Sequence, residues 1–221
     1  MTTAKLPAGT GPTLPRGAVL RLLILDCDGV LFDSWAANVA FYNTVLESLQ
    51  LPPLDEEGRR LCHTLSSPQL YARLFGGYPA LHRRVTEAAR AVDYAPFYAL
   101  MQPAPGLEQT LRRLRAHCPL ALATNRGTTV ASVVQRFGLG AFFDIRVGIL
   151  DVARPKPAPD LLLACLERAG VPAEAAIYVG DTELDRDAAS AAGVPYVGVG
   201  TESAACWTVA ELRDLPALLL D

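Results

Sequence analysis

The sequence predicts an α/β fold: a five-stranded parallel sheet covered by helices on both faces, with a helical segment inserted after the first strand. Three observations predict it. Short apolar runs recur at residues 19–25, 120–123, 145–148, 177–179 and 196–199, and near-continuous hydrophobicity of that length marks strands buried on both faces. Helix-length segments separate the later runs, and that alternation builds a parallel sheet. Residues 34–101 carry helical signals and no strand, so they form an insert rather than part of the sheet.

Each element has a local reason. Residues 1–18, rich in Thr, Gly and Pro, read as a mobile tail with no apolar stretch of a secretory signal. In the insert, Trp35, Val39, Tyr42, Leu46 and Leu49 form an amphipathic stripe. Gly76-Gly77 with Pro79 marks a turn, and a second helical pattern at 80–100 is broken near Pro96. Beyond the insert, Leu107, Leu111 and Leu114 line one face of a helix at 107–117, and Val130, Val133, Val134 and Phe137 one face at 128–137. A helix at 158–169 has Pro157 and Pro159 at its start and Gly170 at its stop. Small residues Ala188, Ala189, Ala191, Ala192 and Gly193 let a further helix lie close to the sheet. The expected organisation is a tail at 1–18, an α/β core from 19–33 and 102–221, and the helical insert at 34–101.

Composition narrows the function. The chain has 221 residues, 51% hydrophobic and 19% charged, which excludes wholesale disorder. Lys and Arg total 20 against 23 Asp and Glu, a net charge of −3, which disfavours a nucleic-acid binder. No uncharged apolar run reaches the roughly 18 residues of a membrane span. The five cysteines form no CxxC pair, so neither a disulfide framework nor a zinc knuckle is expected, and a reducing cytoplasm fits. His63, His82 and His117 lack ligand spacing and are read as packing or surface residues.

The chemistry gathers at strand ends. Asp26 and Asp28 lie where the first strand stops, and side chains at i and i+2 point the same way. Two carboxylates that close need a divalent cation or a proton between them. Gly29 permits a sharp turn and a close backbone approach to an anion; Cys27 between the aspartates points to the opposite face. Thr124-Asn125-Arg126 brings a hydroxyl and backbone N–H groups to the same edge. Lys156 stands between Pro155 and Pro157, its backbone fixed ahead of a helix. Asp181 ends the fourth strand, and Asp185 opens the next helix, where negative charge is favoured.

These four segments, DCDGV, ATN, RPKP and GDTELD, resemble in order the four motifs of the haloacid dehalogenase superfamily. The insert resembles the helical cap of its phosphoglycolate phosphatase and β-phosphoglucomutase branch. The resemblance implies a Rossmann-like core and a Mg²⁺-dependent phosphatase acting on a small phosphorylated metabolite. It implies Asp26 as the nucleophile that forms an aspartyl-phosphate, and Asp28 as general acid and then base. Thr124, Asn125, Lys156 and Gly29 would hold the phosphoryl group. Asp26, Asp181 and the backbone carbonyl of Asp28 would bind Mg²⁺, with Asp185 behind them. A cytoplasmic monomer or weak homodimer, with neither nucleic acid nor membrane as partner, is expected.

The alternatives separate on single residues. A dehalogenase needs neither Asp28 nor a metal. Phosphomutases of the branch carry a cap histidine where this chain has Asn38. Phosphonoacetaldehyde hydrolysis needs a cap lysine, and residues 34–101 contain none. A non-catalytic binding protein on the same fold stays open, because a fold does not dictate its function. Among the insert's arginines, read as solvated, Arg73 is the one best suited to reach the far end of a substrate.

Overall fold

The computed structural model describes residues 20–200 and 207–220; the expected tail, and Val19 of the first apolar run, lie outside them. In chain order the elements begin with β1 (Leu22–Leu25), β2 (Phe32–Asp33), α1 (Trp35–Ser48), α2 (Glu56–Thr64), α3 (Ser67–Phe75), α4 (Pro79–Ala91) and β3 (Gln102–Pro103). There follow α5 (Leu107–Arg115), β4 (Leu120–Ala123), α6 (Val130–Arg136), β5 (Phe143–Val147), α7 (Asp160–Ala169), β6 (Ala176–Gly180), α8 (Glu183–Ala192), β7 (Tyr196–Val199), β8 (Trp207–Val209) and α9 (Leu215–Leu219). The chain divides into two compact units, Phe32–Gln102 and the remainder.

The larger unit is built on a sheet ordered β5-β4-β1-β6-β7-β8, every neighbouring pair parallel. This is the doubly wound order. The chain runs outward from β1 to β4 and β5, then returns to add β6, β7 and β8 on the other side. Ligands bind such sheets at the carboxyl ends of the strands, where the order reverses. That reversal lies between β1 and β6. All four residues of β1 are fully buried. Leu22 and Ile24 pack with Ala121, Ala123, Tyr178 and the buried faces of α7 and α8, and burying such side chains supplies the main folding free energy.

Turn chemistry sets the ends of α8. Thr182 caps it, its hydroxyl accepting from the Asp185 N–H while Asp185 reaches back to the Thr182 N–H. Gly193 stops it in the left-handed conformation. Only Ala188 and Ala189 of the small-residue run are fully buried. The smaller unit is helical, its core formed by Tyr42, Val45, Leu46, Leu54, Cys62, Leu70, Tyr71 and Val85.

Several expectations need correction. The sheet has six strands, not five. β8 has three residues with one Thr between Trp and Val, too short for a periodic signal, and becomes a strand by pairing with β7. The strand expected at 145–148 is Phe143–Val147. α7 begins at Asp160 with Pro159 as its cap, so Pro157 lies outside it. The 80–100 pattern splits into α4 and a 3₁₀ turn at Ala95–Leu100, the break falling at Val92, whose backbone is extended. Trp35, placed on the apolar stripe, is 41% exposed; α1 buries Tyr42 and Leu46 of that stripe, together with Ala37 and Val45.

Candidate active site

Strand register brings the predicted residues to one edge. Leu25 of β1 pairs with Leu122 of β4 and Val179 of β6, so Asp26, Thr124 and Asp181 leave adjacent strands within one or two residues of one another. The Asp26 N–H still bonds the Val179 carbonyl at 2.9 Å, which fixes the nucleophile candidate against β6. Asp26 and Thr124 are buried.

Lys156 enters from the segment between β5 and α7 and is 3% exposed. Its Nζ forms an ion pair with Asp26 Oδ1 at 2.9 Å and with Asp185 Oδ1 at 2.6 Å. It also donates to the Tyr178 hydroxyl at 3.0 Å, which itself donates to Asp185 Oδ1 at 2.6 Å. The second oxygen of Asp185 accepts from the Thr182 N–H and hydroxyl. Asp185 is thus the anchor of the lysine. Asn125 works through its side chain, its Oδ1 accepting from the Lys156 N–H at 2.9 Å and its Nδ2 donating to the Lys156 carbonyl at 3.4 Å. A side chain on the β4 loop therefore clasps the backbone that carries the ammonium.

Asp28 turns elsewhere. Its carboxylate receives a bidentate fork from Arg126, Nε to Oδ2 at 2.8 Å and Nη2 to Oδ1 at 2.6 Å. Its carboxylate does not belong to the acidic group formed by Asp26, Asp181 and Asp185, whose ligand atoms lie within 4.8 Å of one another. Gly29 has a positional reason beyond its turn. Its φ is +76°, and a Cβ there would stand 1.9 Å from Asp181 Oδ2, so only glycine leaves room for that carboxylate.

Electrostatics follow from burial. Asp26 is pushed up to about 7 by burial first, with Lys156 opposing and Asp185 and Asp28 adding to the rise. Asp181 is pushed up to about 8 by burial and by the Asp185 and Asp26 charges. Burial pulls Lys156 down, but Asp185 and Asp26 outweigh it and hold the ammonium charged. Burial likewise opposes ionisation of Asp185, and Lys156 overcomes it, leaving the carboxyl below its ordinary range. Burial raises the Cys27 thiol, with the Asp28 charge adding, so Cys27 is a packed core residue rather than a nucleophile.

The site fits a hard divalent cation. Two carboxyls hold protons above their ordinary range because burial and the neighbouring carboxylates outweigh Lys156, and oxygen ligands suit Mg²⁺ or a similar ion. With Asp185 engaged by Lys156, Tyr178 and Thr182, the residues suited to hold the ion are Asp26 and Asp181.

Residues 23–199 match the haloacid dehalogenase-like hydrolase family. The chain is 34% identical over 182 residues to phosphoglycolate phosphatase 1 of Pseudomonas aeruginosa, covering 79% of this chain and 67% of the relative. It is 31% identical to a probable phosphatase, IndB, of Dickeya dadantii over 185 residues, 80% of each chain. A solved HAD-superfamily hydrolase, subfamily IA, of Geobacter sulfurreducens superposes with a TM-score of 0.73 at 34% identity, covering 96% of this chain and 99% of that one. The chain belongs to the haloacid dehalogenase-like hydrolase family, and it is an enzyme.

Two site residues carry no role in the sequence reading. Tyr178 sits in an otherwise aliphatic buried run and reads there as core; its signal is a lone hydroxyl two residues before Gly180. Arg126 stands beside Thr124 and Asn125, where a charge next to buried strand ends needs a partner.

Proposed function

We propose that this haloacid dehalogenase-like phosphatase hydrolyses a small phosphorylated metabolite through an aspartyl-phosphate on Asp26, with Mg²⁺ held by Asp26, Asp181 and the Asp28 backbone carbonyl. One observation carries the reading: a buried aspartate at the switch point of the sheet is ion-paired with Lys156 and grouped with Asp181. The names of the relatives, phosphoglycolate phosphatase among them, support it.

The residues divide the work. Asp26 attacks phosphorus, and Asp28 protonates the leaving oxygen and then takes a proton from water. Thr124, the Asn125 backbone, Gly29 and Lys156 receive the phosphoryl oxygens. Lys156 also holds Asp26 in place, a role its ion pair supports. When bound, Mg²⁺ supplies positive charge that lets an anionic phosphate approach an anionic nucleophile. Four described cysteines are buried thiols, which suits a cytoplasmic setting. Among the described residues no helix is long and apolar enough to cross a membrane.

The test is orthophosphate release from phosphoglycolate, sugar phosphates and p-nitrophenyl phosphate, with Mg²⁺ and with EDTA. Release that stops on chelation is expected. An isomerised sugar phosphate without orthophosphate would point to a mutase, and no turnover on any ester to a binding protein.

The cation also leaves a mark on stability. Folded Asp26 and Asp181 hold protons up to about 7 and about 8, whereas unfolded carboxyls release theirs near 4. Between those values the folded state binds more protons, so metal-free stability falls as pH rises. Mg²⁺ needs both carboxylates ionised, so its stabilisation grows across the same interval. Thermal melts of EDTA-treated protein should fall in midpoint from about pH 5 to about pH 8.5, and Mg²⁺ should restore roughly 3–6 °C at the upper pH and little at the lower. A flat profile insensitive to Mg²⁺ would remove the cation from the site.

A further inference from the structure

We propose that Arg126 is a positioning residue that fixes the plane of the Asp28 carboxylate for the attack of water on phosphorylated Asp26. The inference rests on the aspartyl-phosphate reading above. Its ground is the fork itself, which joins residues 98 apart in sequence. The paired side chains are 7% and 16% exposed. An arginine this buried is costly to desolvate unless its donors are met, and here they are met by the site. Its Nη1 donates to Thr129 Oγ1 at 3.4 Å. Its N–H bonds Thr124 Oγ1 at 3.2 Å, and its carbonyl accepts from the Ile149 N–H at 3.0 Å. The guanidinium is therefore carried by the same turn that presents Thr124.

The geometry matters because one hydrogen bond leaves a carboxylate able to rotate, whereas two parallel bonds fix its plane. A carboxylate has about four lone-pair directions, twice what the fork needs. In the step concerned, the water oxygen bonds to phosphorus while the bond from phosphorus to the Asp26 oxygen breaks. The electron pair returns to Asp26, and the water proton passes to Asp28. A base held off its line loses much of the about 10²–10⁴-fold that proton transfer contributes. Lysine cannot replace the fork, since it presents a point charge.

p-Nitrophenyl phosphate isolates this step, because p-nitrophenolate leaves without a proton and only the second half-reaction then needs Asp28. With Arg126→Ala we expect a burst of p-nitrophenolate close to one per enzyme, then a steady rate down about 10²-fold with KM falling alongside it, so that kcat/KM stays within a few-fold of wild type. Arg126→Lys should show the same burst with the melting temperature near wild type. Burst and steady rates that fall together, or a raised KM without a burst, would overturn the proposal in favour of a structural or substrate-contacting role. If the alanine variant does not fold, the lysine variant decides: a burst supports the proposal, a wild-type time course overturns it. Asp28→Ala is the control. If it lacks the burst, the aspartyl-phosphate reading itself fails; if it shows one and the Arg126 variants do not, only the inference about Arg126 fails.

Discussion

Asp26→Asn should abolish orthophosphate release, by roughly 10⁴-fold or more, while leaving the fold intact. The amide has the shape of the carboxyl but is no nucleophile at phosphorus, and it is a poorer ligand for a hard cation. The fold survives because the charge on Asp26 is not what holds it. Burial pushes that carboxyl up to about 7, so the ionised form is itself strained in the metal-free protein. Lys156 keeps its ion pair with Asp185 at 2.6 Å after the change. Removing one of three crowded carboxylates also relieves repulsion on Asp181, whose own rise to about 8 owes part to Asp26. In EDTA at about pH 8, the variant should therefore melt no lower than the parent, and Mg²⁺ should raise its midpoint less. Orthophosphate release near the parental rate would remove Asp26 from the chemistry. A collapsed melting curve would mean that its charge is structural.

Much of this site was legible because a parallel sheet collects its strand ends. Asp26 and Asp181 could be placed at one edge from the apolar runs that precede them, and Lys156 from its flanking prolines. The limits are equally physical. Where a side chain points once it reaches the edge depends on partners distant in sequence. The side chain of Asn125 clasps the Lys156 backbone across 31 positions, a pairing no local pattern announces. Asp28 shares a face with Asp26 by strand alternation, but the fork from Arg126 that holds its carboxylate comes from 98 positions away. Tyr178 looks like core until Asp185 and Lys156 are seen against its hydroxyl. β8 has too few residues for periodicity and exists as a strand through β7 alone. Chain order and the identities of charged residues were thus readable, while hydrogen-bond pairing among them was not.

Lys156→Ala should damage stability and activity together, and the pH dependence of the damage identifies its cause. The ammonium stands between two carboxylates whose side chains are 8% and 0% exposed. Removing it leaves two buried negative charges facing each other, a loss of about 3–5 kcal/mol. For a chain of this size that is a fall in melting temperature of roughly 10 °C. The orphaned Asp26 and Asp185 can escape by taking up protons, so their folded pKa values rise above the unfolded ones. The folded variant then binds more protons than its unfolded chain, and its stability declines as pH rises. The gap from the parent should be small near pH 5 and wide near pH 8, the opposite of what a lost packing contact gives, which is the same at every pH. Lys156→Arg should not restore the parent, because a planar guanidinium cannot take the place of one ammonium shared by Asp26, Asp185 and the Tyr178 hydroxyl. A melting-temperature difference that stays constant from about pH 5 to about pH 8 would show that the aliphatic stem of Lys156, and not its charge, stabilises the site.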